Sequence, residues 1–241
     1  MWKTKWGTCI YTSPSGYKVY QNILYRWLTL GSKALQTVIN RYAPQKPGLY
    51  YLPALTLMAR KFPGTCCLFG LGGAGVAHML RSKIPGQKLI AVDSSAEVIK
   101  IAQQFFMVDH IDGLTIVHKN ANDYVRECSD NYAHLIVDLY DANNFPAECK
   151  NDDFFIQCKN RLEYDGFIAV NLANYIEQFP IFQLIKKQFK NTLVIPVKKS
   201  ANMIIFASPI EDKDLFMNKM RETGEIKKIV WIDNWGWVGI Y

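Results

Sequence analysis

Between Thr65 and Ser208 the chain alternates short, nearly unbroken apolar runs with longer segments whose apolar residues recur at helical spacing. The runs at 65–70, 88–92, 114–118, 133–138, 166–172, 192–197 and 203–208 have strand length and little internal polar alternation, which predicts strands buried on both faces. Segments 96–106, 152–162 and 176–189 read as helices between them. Strand and helix in strict succession call for a parallel sheet covered by helices on both sides. The last two runs are joined only by Lys198-Lys199-Ser200-Ala201-Asn202, too short for a parallel crossover, so they are expected to pair antiparallel.

A different period precedes this region. Over residues 17–40 the chain alternates between faces, with Val19, Gln21, Ile23, Tyr25 and Trp27 on one and Tyr20, Asn22, Leu24, Arg26 and Leu28 on the other. Gly31-Ser32 breaks the run before 34–39, so the pair reads as a β-hairpin. Pro44, Pro47 and Gly48 then form a linker, and 50–60 has helical spacing with Pro53 tolerable near its start. The expected organisation is an N-terminal β-hairpin unit with linker over 1–48 and a Rossmann-like α/β domain over 49–241. Seven strands closing in an antiparallel hairpin favour the S-adenosylmethionine-dependent methyltransferase fold over a dinucleotide domain.

Chemistry enters at the first strand end. Phe69-Gly70-Leu71-Gly72-Gly73-Ala74-Gly75 follows an apolar run and leads directly into Val76-Ala77-His78-Met79-Leu80-Arg81, which can open a helix. Glycines permit close backbone approach to a ligand and the φ angles of a tight turn. Asp93 ends the next run, 18 residues after Gly75, where a carboxylate can accept from both hydroxyls of a ribose. Gly70, Gly72 and Gly75 also satisfy G-x-G-x-x-G, so the turn alone leaves dinucleotide and S-adenosyl ligands both open. At the end of the fourth run, Asp138-Leu139-Tyr140-Asp141 sets two carboxylates three residues apart on the sheet edge where ligands of such folds bind, with Tyr140 between them as a candidate pocket wall. One carboxylate can anchor a cationic amine while the other takes its proton. Asn171 and Asn174, beyond the fifth run, are pocket candidates without a role.

The chain resembles the polyamine aminopropyltransferase family, which includes spermidine synthase, over about residues 17–208. Tyr20-Gln21-Asn22-Ile23 is similar to the family's Tyr-Gln-x-Ile, whose glutamine lies near the nucleoside, and Gln36 falls at a similarly placed glutamine. Gly70-Leu71-Gly72-Gly73 resembles the glycine motif, Asp93 the ribose-binding acid, and Asn120, with Ala121 after it, the position of an aspartate that accepts from the adenine amino group. Asp138 and Asp141 match the two acids of Asp-x-x-Asp-Pro. The resemblance implies Asp138 as general base, Asp141 as amine anchor, decarboxylated S-adenosylmethionine as donor, a diamine such as putrescine as acceptor, and a homodimer. Two positions depart from the pattern: Ala142 stands for the proline, and Gly73 stands for an aspartate that binds the donor's amine. With these departures the chain looks more like the divergent spermidine synthase-like branch. Methyl transfer from ordinary S-adenosylmethionine needs the same turn and acids, although the absence of Pro-Pro-Tyr after the fourth run argues against amino-group methylation of the adenine or glutamine type. A non-catalytic nucleoside-binding protein is a third reading, should Asp138 merely cap a loop.

Composition narrows little further. With 241 residues, 49% of them hydrophobic, the chain can bury a sizeable core. No apolar run is long enough to span a membrane and the N-terminus lacks a signal-peptide pattern, so a cytoplasmic protein is expected. The net charge of +7 comes from dispersed Lys and Arg, which makes nucleic acid an unlikely partner. Six cysteines and four histidines show no metal-ligand spacing; buried reduced thiols and no metal are expected.

Overall fold

The computed structural model describes residues 2–31, 34–80, 88–140 and 144–241. Strands β1 (Thr8–Thr12), β2 (Tyr17–Gln21), β3 (Tyr25–Leu30) and β4 (Thr37–Asn40) form an antiparallel meander in sequence order. The expected hairpin is therefore four strands. The alternation over 17–28 conceals a reversal, because the Asn22 Oδ1 accepts from the backbone N–H of Leu24 (3.0 Å) and of Tyr25 (2.7 Å) and folds the chain back on itself. Tyr20 consequently faces Trp27, with the rings stacked 5.6 Å apart. On the opposite face Val19, Leu28 and Ile39 pack with Ile101 and Phe106, which seats the meander on the larger domain.

That domain begins with two short helices, α1 (Leu52–Leu55) and α2 (Leu57–Lys61), Pro53 falling in the first turn where its missing N–H costs nothing. There follow β5 (Cys66–Phe69), α3 (Gly75–Leu80), β6 (Leu89–Asp93), α4 (Ala96–Phe105), β7 (Leu114–His118), α5 (Ala121–Glu127), β8 (Tyr132–Val137), α6 (Asp152–Asn160), β9 (Leu162–Leu172), α7 (Tyr175–Gln188), β10 (Asn191–Pro196), β11 (Met203–Ser208), α8 (Lys213–Glu222), β12 (Lys228–Ile232) and β13 (Gly236–Ile240). The sheet order is β12-β13-β10-β11-β9-β8-β5-β6-β7. All seven expected strands are present, and β10 pairs antiparallel with β11, Asn191 opposite Ser208 and Pro196 opposite Met203.

Among the described residues the sheet has nine strands, because β12 and β13 extend it past β10. Aromatics at 231, 235 and 237 therefore belong to or flank strands, and Trp235 and Trp237 also pack against the core. Trp235 packs on Phe182 at 5.1 Å, and Trp231 meets Trp237 edge-on.

Burial on both faces explains the unbroken apolar runs. Along β5, Cys66 and Leu68 enter the core on one side of the sheet, and Cys67 and Phe69 enter the core on the other. Burial pushes the Cys66 thiol up to about 12, so it stays protonated and acts as a small apolar side chain. All six cysteines are free; Cys9 lies exposed on edge strand β1, unlike the buried thiols expected.

Strand order reverses between β5 and β8. From β5 the chain runs outward through β6 and β7, and from β8 in the opposite direction through β9, so the carboxyl ends of β5 and β8 border an open crevice. The fourth-strand acid and the glycine turn both lie there. No described helix is long and apolar enough to cross a membrane.

Candidate active site

The glycine turn and Asp138 shape one another. Gly70 has φ +96°, and a Cβ there would lie 2.2 Å from the backbone oxygen of Asp138. Only glycine lets the two strand ends cross so closely. The Asp138 N–H donates to the Phe69 carbonyl at 2.8 Å, fixing the acid directly beside the turn.

Asp93 supports the turn from the other side. Its Oδ2 accepts from the N–H of Leu71 at 3.0 Å and, more weakly, of Gly72 at 3.4 Å, while Oδ1 accepts from Ser95 at 2.9 Å. Burial raises its proton affinity above that of an ordinary carboxylate, and the Ser95, Leu71 and Gly72 donors and His118 oppose that rise.

Asp138 is held by side chains. Tyr51 donates its hydroxyl to Oδ2 at 2.9 Å, and the Asn171 amide donates to Oδ1 at 2.7 Å. Asn171 in turn accepts from the Asn202 amide at 2.8 Å, and the Asn202 oxygen is bonded by the Ser200 hydroxyl. This chain orients each amide unambiguously, since Asn171 can donate to the acid only while its oxygen faces Asn202. Burial raises the proton affinity of Asp138, with Asn171 and Tyr51 pulling it back by bonding the ionised form. The Tyr51 phenol is pushed well up, first by burial and then by the Asp138 charge, so it remains a donor. The result is a carboxylate oriented for bonding and more basic than one in water, which suits a general base.

A cavity of about 740 Å³ opens over these groups, of the size that takes a nucleoside-sized ligand with a small second molecule. Gln36, Gly70, Gly72, Gly75, Asp138 and Tyr140 all line it. Burial, and then the charges of Glu177 and Asp138, push the Tyr140 phenol to about 12.

Other expected residues lie elsewhere. Gln21 accepts from the Arg26 guanidinium, which also donates to the Phe105 carbonyl, and lines a separate cavity with Trp2 and Trp6. Asn120 caps α5 through the N–H of Asn122 at 2.8 Å and donates to Glu148 at 2.7 Å, and Ala121 is buried in the first turn of that helix. Neither lines the cavity, nor do Gly73, within the turn, and Asp93, which stands behind it. Asp141 falls outside the described residues.

Four contributors escaped the sequence reading. Tyr51 was one apolar-spaced residue among several, Lys199 and Asn202 belonged to a hairpin loop, and Thr37 carried no motif. Thr37 accepts from the Gly73 N–H at 2.8 Å, and a Cβ on Gly73 would lie 2.8 Å from the Thr37 Cβ and 3.0 Å from a Phe106 ring carbon. The place of the missing acid is filled.

Residues 70–209, which contain the turn, both aspartates and the amide chain, match the family model described as the spermine/spermidine synthase domain. The chain belongs to the spermine/spermidine synthase family. It is a transferase by that membership. A polyamine aminopropyltransferase of Neisseria meningitidis is 24% identical over 206 residues, spanning 83% of this chain and 78% of the relative. A spermidine synthase solved with the transition-state analogue AdoDATO superposes with a TM-score of 0.68 at 19% identity, covering 85% of this chain and 74% of that one. Human methyltransferase-like protein 13, solved with SAH, superposes at 0.63 with 17% identity, covering 73% and 90%. At these identities the two structures speak for the shared Rossmann-like fold. Among the described residues no cluster of His, Cys, Asp or Glu is arranged to hold a metal.

Proposed function

We propose that the protein transfers an aminopropyl group from decarboxylated S-adenosylmethionine to a diamine such as putrescine, with Asp138 as the base. The observation that carries this reading is Asp138 itself, which lines the cavity beside the glycine turn and is held by two side-chain donors. The sulfonium of the donor supplies an already activated carbon. Asp138 then takes the proton from the acceptor nitrogen as its lone pair attacks the carbon beside sulfur, the C–S bond breaks towards sulfur, and neutral methylthioadenosine departs. The protein's tasks are alignment and proton removal, worth several orders of magnitude together.

In the same proposal Asp93 meets the ribose through its remaining lone pairs, Gln36 and the turn border the nucleoside, and Asp141 anchors the distal amine. Tyr140 walls the acceptor side. Asn120 and Ala121 reach the adenine only if ligand binding redirects the contacts they make here.

Methyl transfer from S-adenosylmethionine is a second reading, favoured by Thr37 filling the place of an acid for the donor's amine. Parallel calorimetric titration with decarboxylated S-adenosylmethionine, S-adenosylmethionine and NAD separates the two. Tightest binding of the decarboxylated compound, with methylthioadenosine release on adding putrescine, is the expected result. Preference for the carboxylated donor moves the assignment to methyl transfer, and preference for NAD overturns both.

A further inference from the structure

The charge of +7 that looks dispersed along the sequence belongs to one unit of the fold. Residues 1–48 hold seven of the 28 Lys and Arg and none of the 21 Asp and Glu, so residues 49–241 carry 21 of each sign and balance. The whole excess sits on the N-terminal unit that forms the β-meander.

That unit also exposes large apolar side chains at one tip. The Asn22 amide donates to the carbonyls of Lys3 (3.0 Å) and Lys5 (3.1 Å), which ties the N-terminal segment to the β2–β3 reversal. Trp2 meets Tyr25 edge-on at 5.7 Å. Around this junction Trp2, Trp6, Ile23 and Leu24 are exposed, Trp6 to 94% and Ile23 to 79%. They border a hollow of about 490 Å³ that shares no lining residue with the active-site cavity, and its described lining includes Lys3, Lys5 and Arg41 and no acid. Apolar groups this large and this exposed mark a surface that meets something other than water.

The backbone of the tip is largely paired within the chain. The Asn22 N–H donates to the Tyr25 carbonyl at 2.9 Å, the Leu24 and Tyr25 N–H groups donate to the Asn22 Oδ1, and the Arg41 N–H donates to the Leu24 carbonyl at 2.9 Å. The Arg41 guanidinium donates to the Asn22 and Ile23 carbonyls at 3.2 and 3.0 Å, which holds its charge beside the apolar tip. The Lys3 Nζ donates to the Pro47 and Gly48 carbonyls and lies over the Tyr25 ring. A tip built this way leaves water with few backbone groups unpaired, while fixed cations stand beside it.

We infer that this tip docks on an anionic lipid surface, with Trp6, Ile23 and Leu24 entering the headgroup region and Lys3, Lys5 and Arg41 meeting the lipid anions. Exposed Trp and aliphatic side chains among Lys and Arg suit the boundary between headgroups and acyl chains. An acid-free unit is drawn to a negative leaflet by each of its cations. A second copy of the chain suits the tip less, because a two-fold contact would bring the same cations face to face. Single-stranded nucleic acid suits it less as well, since Ile23 and Leu24 offer no ring on which a base can stack.

Flotation of the full chain with vesicles of phosphatidylcholine, with and without phosphatidylserine, tests this. The wild type should float with the phosphatidylserine vesicles, stay behind with phosphatidylcholine alone, and come off as salt rises. Lys5→Glu should weaken partition about 25-fold, at about fivefold for each unit of charge. Trp6→Ser combined with Leu24→Ser should weaken it by about tenfold or more at unchanged charge, with the melting temperature of the wild type because both side chains are exposed. A wild type that ignores phosphatidylserine, or either variant binding as tightly as the wild type, overturns the inference. So does binding of a single-stranded oligothymidylate in place of vesicles, which assigns the tip to nucleic acid. A dimer in sedimentation that the double variant dissolves overturns it too, and assigns the tip to a second copy.

Discussion

Asp93 and Asp138 flank the same strand, β5, at the same edge of one sheet, and burial raises the proton affinity of both. Their partners differ in kind. Asp93 accepts from three backbone N–H groups and Asp138 from two side chains. Backbone donors cannot move without unfolding the turn, so Asp93 is tied into the architecture. Side-chain donors tune an acid without supporting the chain, and that leaves Asp138 available for chemistry.

The sharpest way to break this contrast is Asp138→Asn. Methylthioadenosine release with a diamine should fall about 10²–10⁴-fold, the range for loss of a general base, while thermal stability holds or rises. Folding raises the proton affinity of Asp138, so the ionised group opposes folding at pH values above its folded pKa, and this opposition fades as the pH drops to the ordinary carboxylate range. The stability advantage of Asp138→Asn should therefore grow from pH 4 to pH 8 in urea titrations. A variant that keeps full turnover removes Asp138 from the mechanism.

Asp93→Ala should show the opposite balance. Leaving the Leu71, Gly72 and Ser95 N–H groups without their acceptor should cost about 2–3 kcal/mol and lower Tm by roughly 5–10 °C. A melting temperature equal to wild type would place Asp93 with Asp138 as a purely functional group.

Asn171→Ala comes next in size. Removing one donor to the ionised Asp138 leaves burial less opposed, so the acid limb of the kcat profile should move to higher pH, and Tyr51→Phe should move it in the same direction. Asn202→Ala should produce the smallest shift, since it only releases Asn171 to rotate. An acid limb that stays in place through all three variants separates the amide chain from the base.

The strands were legible because full burial leaves a simple mark, an apolar run of strand length such as Leu135-Ile136-Val137. The turn and both strand-end acids were legible for the same reason, since each directly follows such a run. Half-buried structure was harder. Ile23 and Leu24 continue the alternation of β2 straight through a reversal made by the Asn22 side chain, and β12, an apolar run at the sheet edge with Trp231 exposed, was not among the expected strands. The partners of Asp138 left no local trace. Tyr51 and Asn171 stand 87 and 33 residues away in sequence, and their contacts exist only once α1 and β9 have docked.

Thr37 and Gly73 carry a consequence for the history of the site. With the Thr37 Cβ 2.8 Å from where a side chain on Gly73 would begin, an acid cannot be introduced at 73 in one step without displacing β4 or the Phe106 ring. Relieving the contact at 37 takes loss of that Cβ, which only glycine provides, and that change alone deprives the Gly73 N–H of its acceptor. The two positions are therefore coupled: in this backbone a side chain at 73 and the present side chain at 37 exclude one another, and changing either alone is harmful.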